Sequence, residues 1–185
     1  MLTVVTPTVA RVSLRGTLAS IAPQLEPGDE HIVIGDGPQP DAAAVCSEFG
    51  ARYLHGPVSR SYGTVQRDHG IANATGEYIA FCDDDDVFTP DALATVRAAI
   101  AEHPGVPLLF RMDTLHSGVL WADRVVREGN VGTPMIVTPR YADIPKWHDD
   151  GDPYTGDHRF IRRVTDAHGV EWREDVICIV GQRNL

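Results

Sequence analysis

The sequence predicts an α/β fold: a mostly parallel central sheet with helices on both faces. Short apolar, β-branched runs alternate with stretches of helical spacing over residues 2–103. That rhythm builds right-handed βαβ units and a parallel sheet. Thr6, Asp36 and Asp83 each follow an apolar run, at the strand ends where such sheets bind ligands. The apolar run Tyr78, Ile79, Ala80, Phe81, Cys82 then drives straight into four aspartates, Asp83, Asp84, Asp85 and Asp86.

Taken in order, residues 2–5 read as a buried strand that Pro7 stops. Leu14, Leu18, Ile21 and Leu25 recur at helical spacing and end near Pro27 and Gly28. Residues 31–34 form a second strand, broken by Gly35, Asp36, Gly37 and Pro38. Residues 41–49 are alanine-rich and helical, closed by Gly50. Residues 52–54 suit a brief third strand, 55–63 a loop, 64–74 a helix and 77–82 the fourth strand. Thr89 is a candidate N-cap, with Pro90 in the first turn, for a helix to about residue 103. The second half is less regular: strands over 106–112, 132–138 and 176–180, a Pro/Gly-rich loop over 139–157, and a helix over 158–168. Neither a repeat nor a low-complexity linker divides the chain. One domain is expected over 1–185, with a ligand-binding half at 1–95 and a catalytic half at 96–185.

The chain has 185 residues, 43% of them hydrophobic, and a formal net charge of −10. Such a surface repels nucleic acid and anionic membranes, and neither is expected as a partner. Cys46, Cys82 and Cys178 lie far apart without zinc spacing, so a reduced, cytoplasmic setting is expected. The N-terminus has no basic segment leading into an apolar one, and no stretch approaches the ~20 apolar residues of a membrane span.

Four adjacent carboxylates repel one another and lose solvation on burial, so a cation would offset them. Their oxygens are hard ligands, which points to Mg²⁺ or Mn²⁺ and a phosphorylated substrate. A solvated acidic loop is the alternative, but it needs no apolar strand feeding it.

Residues Arg67, Asp68, Gly70, Ile71, Ala74, Gly76, Glu77, Tyr78, Ile79, Ala80, Phe81, Asp83, Asp85 and Asp86 resemble, in order and spacing, the signature of family 2 glycosyltransferases with the GT-A fold, a Rossmann-like nucleotide-diphospho-sugar transferase fold. The first strand with Thr6 and Pro7, and residues 32–34 leading to Asp36, match as well. The resemblance is good over residues 1–95 and weak beyond.

It implies a metal-dependent inverting glycosyltransferase, taking sugar from a UDP- or dTDP-type donor to an acceptor hydroxyl that the sequence does not specify. Thr6 and Asp36 would line the base pocket, with Asp36 accepting from an imide N–H, and Pro7 and Thr8 would bind the donor nucleotide. Arg67 would hold the nucleotide. Asp83 and Asp84 would stand near the ribose or metal, and Asp85 would ligate the cation, with Asp83 a second candidate. The family's Asn after the Arg is here Asp68. A general base resembling the family's Glu-Asp pair falls at Gly156-Asp157, with Asp149, Asp150 and Asp152 as rivals.

Plainer readings stand beside these roles. Asp36 suits a turn, Arg67 a solvated helix face, and Asp157 a helix N-cap. Trp147 with His148, Asp149 and Asp150 would make an acceptor-side surface, since an aromatic face packs on sugar C–H groups; Trp147 suits a core position equally. The segment 129–134 suits either close approach to a ligand or a turn. Two other functions remain open: a nucleotidyltransferase acting on sugar phosphates, and a non-catalytic nucleotide-sugar-binding module. The first class generally has a Gly-rich basic loop after the first strand, where this chain has one basic residue, Arg11, and no glycine.

Overall fold

The computed structural model describes residues 1–148 and 151–181. The chain runs β1 (Leu2–Thr8), α1 (Leu14–Ile21), β2 (Glu30–Asp36), α2 (Pro40–Glu48), β3 (Arg52–Gly56), α3 (Thr64–Asn73), β4 (Tyr78–Phe81) and β5 (Val87–Phe88). It continues with α4 (Ala92–Glu102), β6 (Leu108–Thr114), β7 (Gly118–Leu120), β8 (Ile136–Pro139), α5 (Gly156–His168) and β9 (Glu171–Val180).

All these strands join one sheet in the order β3-β2-β1-β4-β8-β6-β9-β5, with β7 added to β6. The βαβ half is parallel throughout: β1 pairs with β2 and β4, and β2 with β3. Beyond β4 the sheet is mixed. β8 is antiparallel to both β4 and β6, whereas β6 and β9 are parallel.

Helices cover both faces. Val5 and Ile32 are register partners, and Val33 points the opposite way. Val33 packs with Leu14, Leu18, Ala42 and Cys46 of α1 and α2. Val5 faces α3: a Cβ placed on Gly70 would lie 2.3 Å from Val5 Cγ1, so helix and strand approach too closely there for any side chain. In the larger core, Trp147 stacks on Phe160 at 3.9 Å and meets Phe81 edge-on at 5.0 Å. This cluster ties α5 and the preceding loop to β4.

Two boundaries differ from expectation for clear reasons. β1 runs through Pro7, which pairs with Ile34, because the β4 ladder has already ended at Val5–Phe81. The N–H that proline lacks is not needed on that open side. Thr89 does not cap α4. Its hydroxyl donates to the Val176 carbonyl at 3.0 Å, and the helix begins at Ala92 after Asp91, at φ 61°.

Candidate functional site

Past Val5, β1 stays with β2 and parts from β4. The two strand ends open a crevice at the point where strand order reverses, the general ligand site of open α/β sheets. A cavity of ≈ 580 Å³ fills it. Its walls are Pro7, Thr8, Val9 and Arg11 after β1, Asp36 at the end of β2, and Asp83, Asp84 and Asp85 after β4. Arg60, Tyr62, Gly63, Gln66 and Arg67 come from the entry to α3, and Tyr154 and Asp157 from the entry to α5.

Arg67 organises the acidic side. It is buried, and its Nη2 donates to Asp83 Oδ1 at 2.5 Å while Nη1 donates to the Tyr62 carbonyl at 3.1 Å. Its guanidinium lies 4.8 Å from the centre of the Trp147 ring. Burial alone would lower its pKa, but the charges of Asp83, Asp157 and Asp86 outweigh that and raise it. Arg67 is therefore a fixed positive centre, not a solvated helix arginine.

Asp84 is buried and accepts from Thr8 Oγ1 at 2.7 Å, from the Val9 N–H at 3.2 Å and from Arg11. It holds the chain after β1 in place. Asp83 and Asp85 keep 29% and 15% of their side-chain surface exposed. Asp86 turns inward and accepts from the Gly181 N–H at 3.0 Å. Burial, reinforced by the charge of Asp83, pushes its carboxyl well above the usual range.

Among the described residues no three His, Cys, Asp or Glu side chains gather into a cage able to hold a metal by themselves. Magnesium commonly takes one or two carboxylates and completes its shell with water and substrate phosphates. The hard oxygens of Asp85 and Asp83 beside an open cavity fit that mode.

Asp36 faces the cavity from β2. Its Oδ1 accepts from the Ser59 N–H at 2.7 Å and Gln66 Nε2 at 3.1 Å, and its Oδ2 accepts from the Arg60 N–H at 3.2 Å. Asp157 lies in the first turn of α5, whose N-cap is Thr155, so it is not the cap. Its Oδ2 accepts from the Thr133 N–H at 3.3 Å. The 129–134 segment thus forms a turn that anchors Asp157. Burial pushes the Asp157 carboxyl up, and Arg67 opposes the shift.

Several expected positions move. Thr6 is fully buried, two residues below the strand end, and hydrogen-bonds His31 Nε2 at 2.9 Å. Burial lowers the His31 pKa to about 3, so this is a neutral core pair and not part of the cavity wall. Thr8, on the same face but at the open end, reaches the wall. Trp147 is likewise core, wedged between Phe160, Phe81 and Arg67, and offers no acceptor surface. His148 is exposed away from the cavity, with Nδ1 3.3 Å from Thr64 Oγ1. Asp149 and Asp150 lie outside the described residues. Asp152 accepts from the Tyr154 N–H at 3.0 Å and is not on the wall. Asp68 accepts from the Trp147 and His148 N–H groups at 2.7 and 3.0 Å, which explains a carboxylate at that position.

Sequence reasoning missed Arg60, Tyr62, Gln66 and Tyr154, and noted Arg11 without a role. Tyr62 and Tyr154 meet edge to face at 5.7 Å across the mouth, both largely exposed. Tyr62 lies in a loop and Tyr154 in a single 3₁₀ turn, so no periodic pattern marks them.

The sequence profile described as glycosyl transferase family 2 matches residues 3–152. The chain belongs to that family. A curated relative, Glycosyltransferase GlyA of Streptococcus pneumoniae serotype 4 (strain ATCC BAA-334 / TIGR4), is 30% identical over 93 residues, 49% of this chain and 13% of its own length. Among solved structures, S. aureus TarS 1–349 in complex with UDP-GlcNAc superposes with TM-score 0.80 at 18% identity, covering 100% of this chain and 59% of that one. A mannosyltransferase from Pyrobaculum calidifontis in complex with GDP-Man and Mn²⁺ gives TM-score 0.65 at 15% identity, covering 97% of this chain and 56% of that one. These structures show that the fold is shared. The chain spans a small fraction of the curated relative and under two thirds of these two. No helix among the described residues is long and apolar enough to cross a membrane.

Proposed function

We propose that this glycosyl transferase family 2 chain binds a nucleoside-diphosphate sugar in the β1/β4 crevice and transfers the sugar, with inversion, to an acceptor hydroxyl. One observation carries the reading: Asp83, Asp85 and Asp157 line a single cavity, and the charge of Arg67 acts on both Asp83 and Asp157. The UDP-GlcNAc held by TarS and the GDP-Man and Mn²⁺ held by the mannosyltransferase support it. So does the family match, which favours glycosyl transfer over nucleotidyl transfer.

Asp36 would read the base. A carboxylate has about four acceptor sites, and three protein N–H donors already occupy Asp36. The remaining site on Oδ2 suits the single imide N–H of uracil or thymine better than the paired donors of guanine. Arg67 would orient the diphosphate. Asp157, its carboxyl raised by burial, would take the proton from the attacking hydroxyl on the face opposite the leaving group. A divalent cation on Asp85, with Asp83 nearby, would stabilise the charge growing on the departing diphosphate. The aromatic surface open to a sugar ring is that of Tyr62 and Tyr154, not Trp147.

The test is UDP binding by calorimetry, with and without Mn²⁺, to the natural chain and to Asp85→Ala. The substitution should abolish the Mn²⁺-dependent part of the affinity while thermal unfolding stays unchanged. Undiminished Mn²⁺-dependent affinity defeats the assignment.

A further inference from the structure

Arg11 is a cavity-lining cation to which the reading above gives no task. Its Nη1 is bonded to Asp84 Oδ1 and stands 3.8 Å from Asp85 Oδ1. The side chain is 49% exposed and lines the cavity, whereas Asp84 is 1% exposed. Its position is built. Thr8 Oγ1 and the Val9 N–H hold Asp84, the Ala10 N–H donates to Thr8 Oγ1 at 2.9 Å, and Ala10 at φ 61° turns the chain back over the acidic turn. A guanidinium stays charged at any working pH.

A fixed positive charge beside Asp85 opposes any cation that approaches the same oxygen. The same guanidinium has five N–H donors in a planar fork that matches phosphate oxygens, and Asp84 tethers it by one edge. Resting on the donor reading above, we propose that Arg11 makes cation binding at Asp85 conditional on the diphosphate. Without nucleotide, Arg11 guards Asp85 and weakens binding of a free divalent ion. With nucleotide, its cavity-facing N–H groups take phosphate oxygens, the local charge balance reverses, and cation and diphosphate bind with positive coupling. Coupling of this kind is reciprocal: each ligand raises the affinity of the other by the same factor.

The consequence is a split in sign that a merely structural role would not produce. Calorimetric titrations of Mn²⁺ alone, and of UDP with and without Mn²⁺, would be made on the natural chain, Arg11→Gln and Arg11→Lys. Arg11→Gln should bind Mn²⁺ alone about fivefold or more tightly than the natural chain, the low end of usual couplings. It should bind UDP in the presence of Mn²⁺ more weakly. Arg11→Lys keeps the charge without the fork, so Mn²⁺ alone should bind as in the natural chain and UDP more weakly. Removing Arg11 takes one partner from Asp84. If Arg11→Gln unfolds, the UDP affinity of Arg11→Lys decides the phosphate half, and UDP titrations of the natural chain with and without Mn²⁺ decide the coupling, equal affinities there overturning it. Unchanged or weaker binding of Mn²⁺ alone to a folded Arg11→Gln, or unchanged UDP affinity in both variants, overturns the proposal. A natural chain that binds no UDP defeats the donor reading and with it the phosphate half of this proposal; the comparison with Mn²⁺ alone still decides the guarding half.

Discussion

Arg67 Nη2 donates to Asp83 Oδ1 at 2.5 Å from a guanidinium that is almost wholly buried. The pair ties the first turns of α3 to the acidic turn after β4. Breaking one side of a buried ion pair strands the other charge and typically costs about 3–5 kcal/mol. Asp83 keeps 29% of its side-chain surface exposed and the charge left behind is partly solvated, so Arg67→Ala should lose less than that in urea unfolding, and its UDP affinity should fall as well. Arg67→Lys keeps the charge but loses the flat contact with Trp147, so it should fall between the two.

Asp157→Asn should lower turnover of a UDP-sugar by about 10²–10⁴-fold while UDP affinity holds. UDP release, with water as acceptor if none is supplied, reads this out. The raised carboxyl also sets a pH sign. The base works only when deprotonated, so turnover should fall away on the acid side at a pH above the ordinary carboxylate range. Arg67 opposes that shift, so a folded Arg67→Gln should move the acid limb higher still.

Asp36→Asn tests base reading. Oδ1 already accepts two protein donors, so the amide nitrogen would take the outer position, where it donates instead of accepting. A hydrogen bond to a charged group is worth about 1.5–3 kcal/mol. UDP affinity should drop about tenfold or more, and CDP, whose ring nitrogen accepts, should gain on UDP in competition.

Gly70→Ala sets helix propensity against packing. In an open helix the change would stabilise by about 1 kcal/mol. Here the new methyl meets Val5 Cγ1 at 2.3 Å inside the core. Overpacking costs about 1–3 kcal/mol and should win, lowering the melting temperature by a few degrees.

Much of this was legible because it is local. The apolar run into Asp83–Asp86 carries both the strand and its carboxylates in one short segment. The βαβ rhythm placed Asp36 at its strand end. Pro7 was missed for a non-local reason: it reads as a strand stop only while the partner on its open side is unknown.

What the sequence by itself determined was the parallel half of the sheet and the acidic end of the site. Those follow from side-chain period and from residues adjacent in the chain. Tertiary structure decided the rest, since only packing brings distant residues together. Arg11 reaches Asp84 across 73 positions, and Thr133 holds Asp157 across 24. Trp147 sits in a loop with no period to say which way it faces, and only the closure of Phe81 and Phe160 around it made it core. Thr6 and Thr8 share a strand face, so pattern cannot separate them. Their depth below the strand end does, which is why one bonds a buried histidine and the other reaches the cavity.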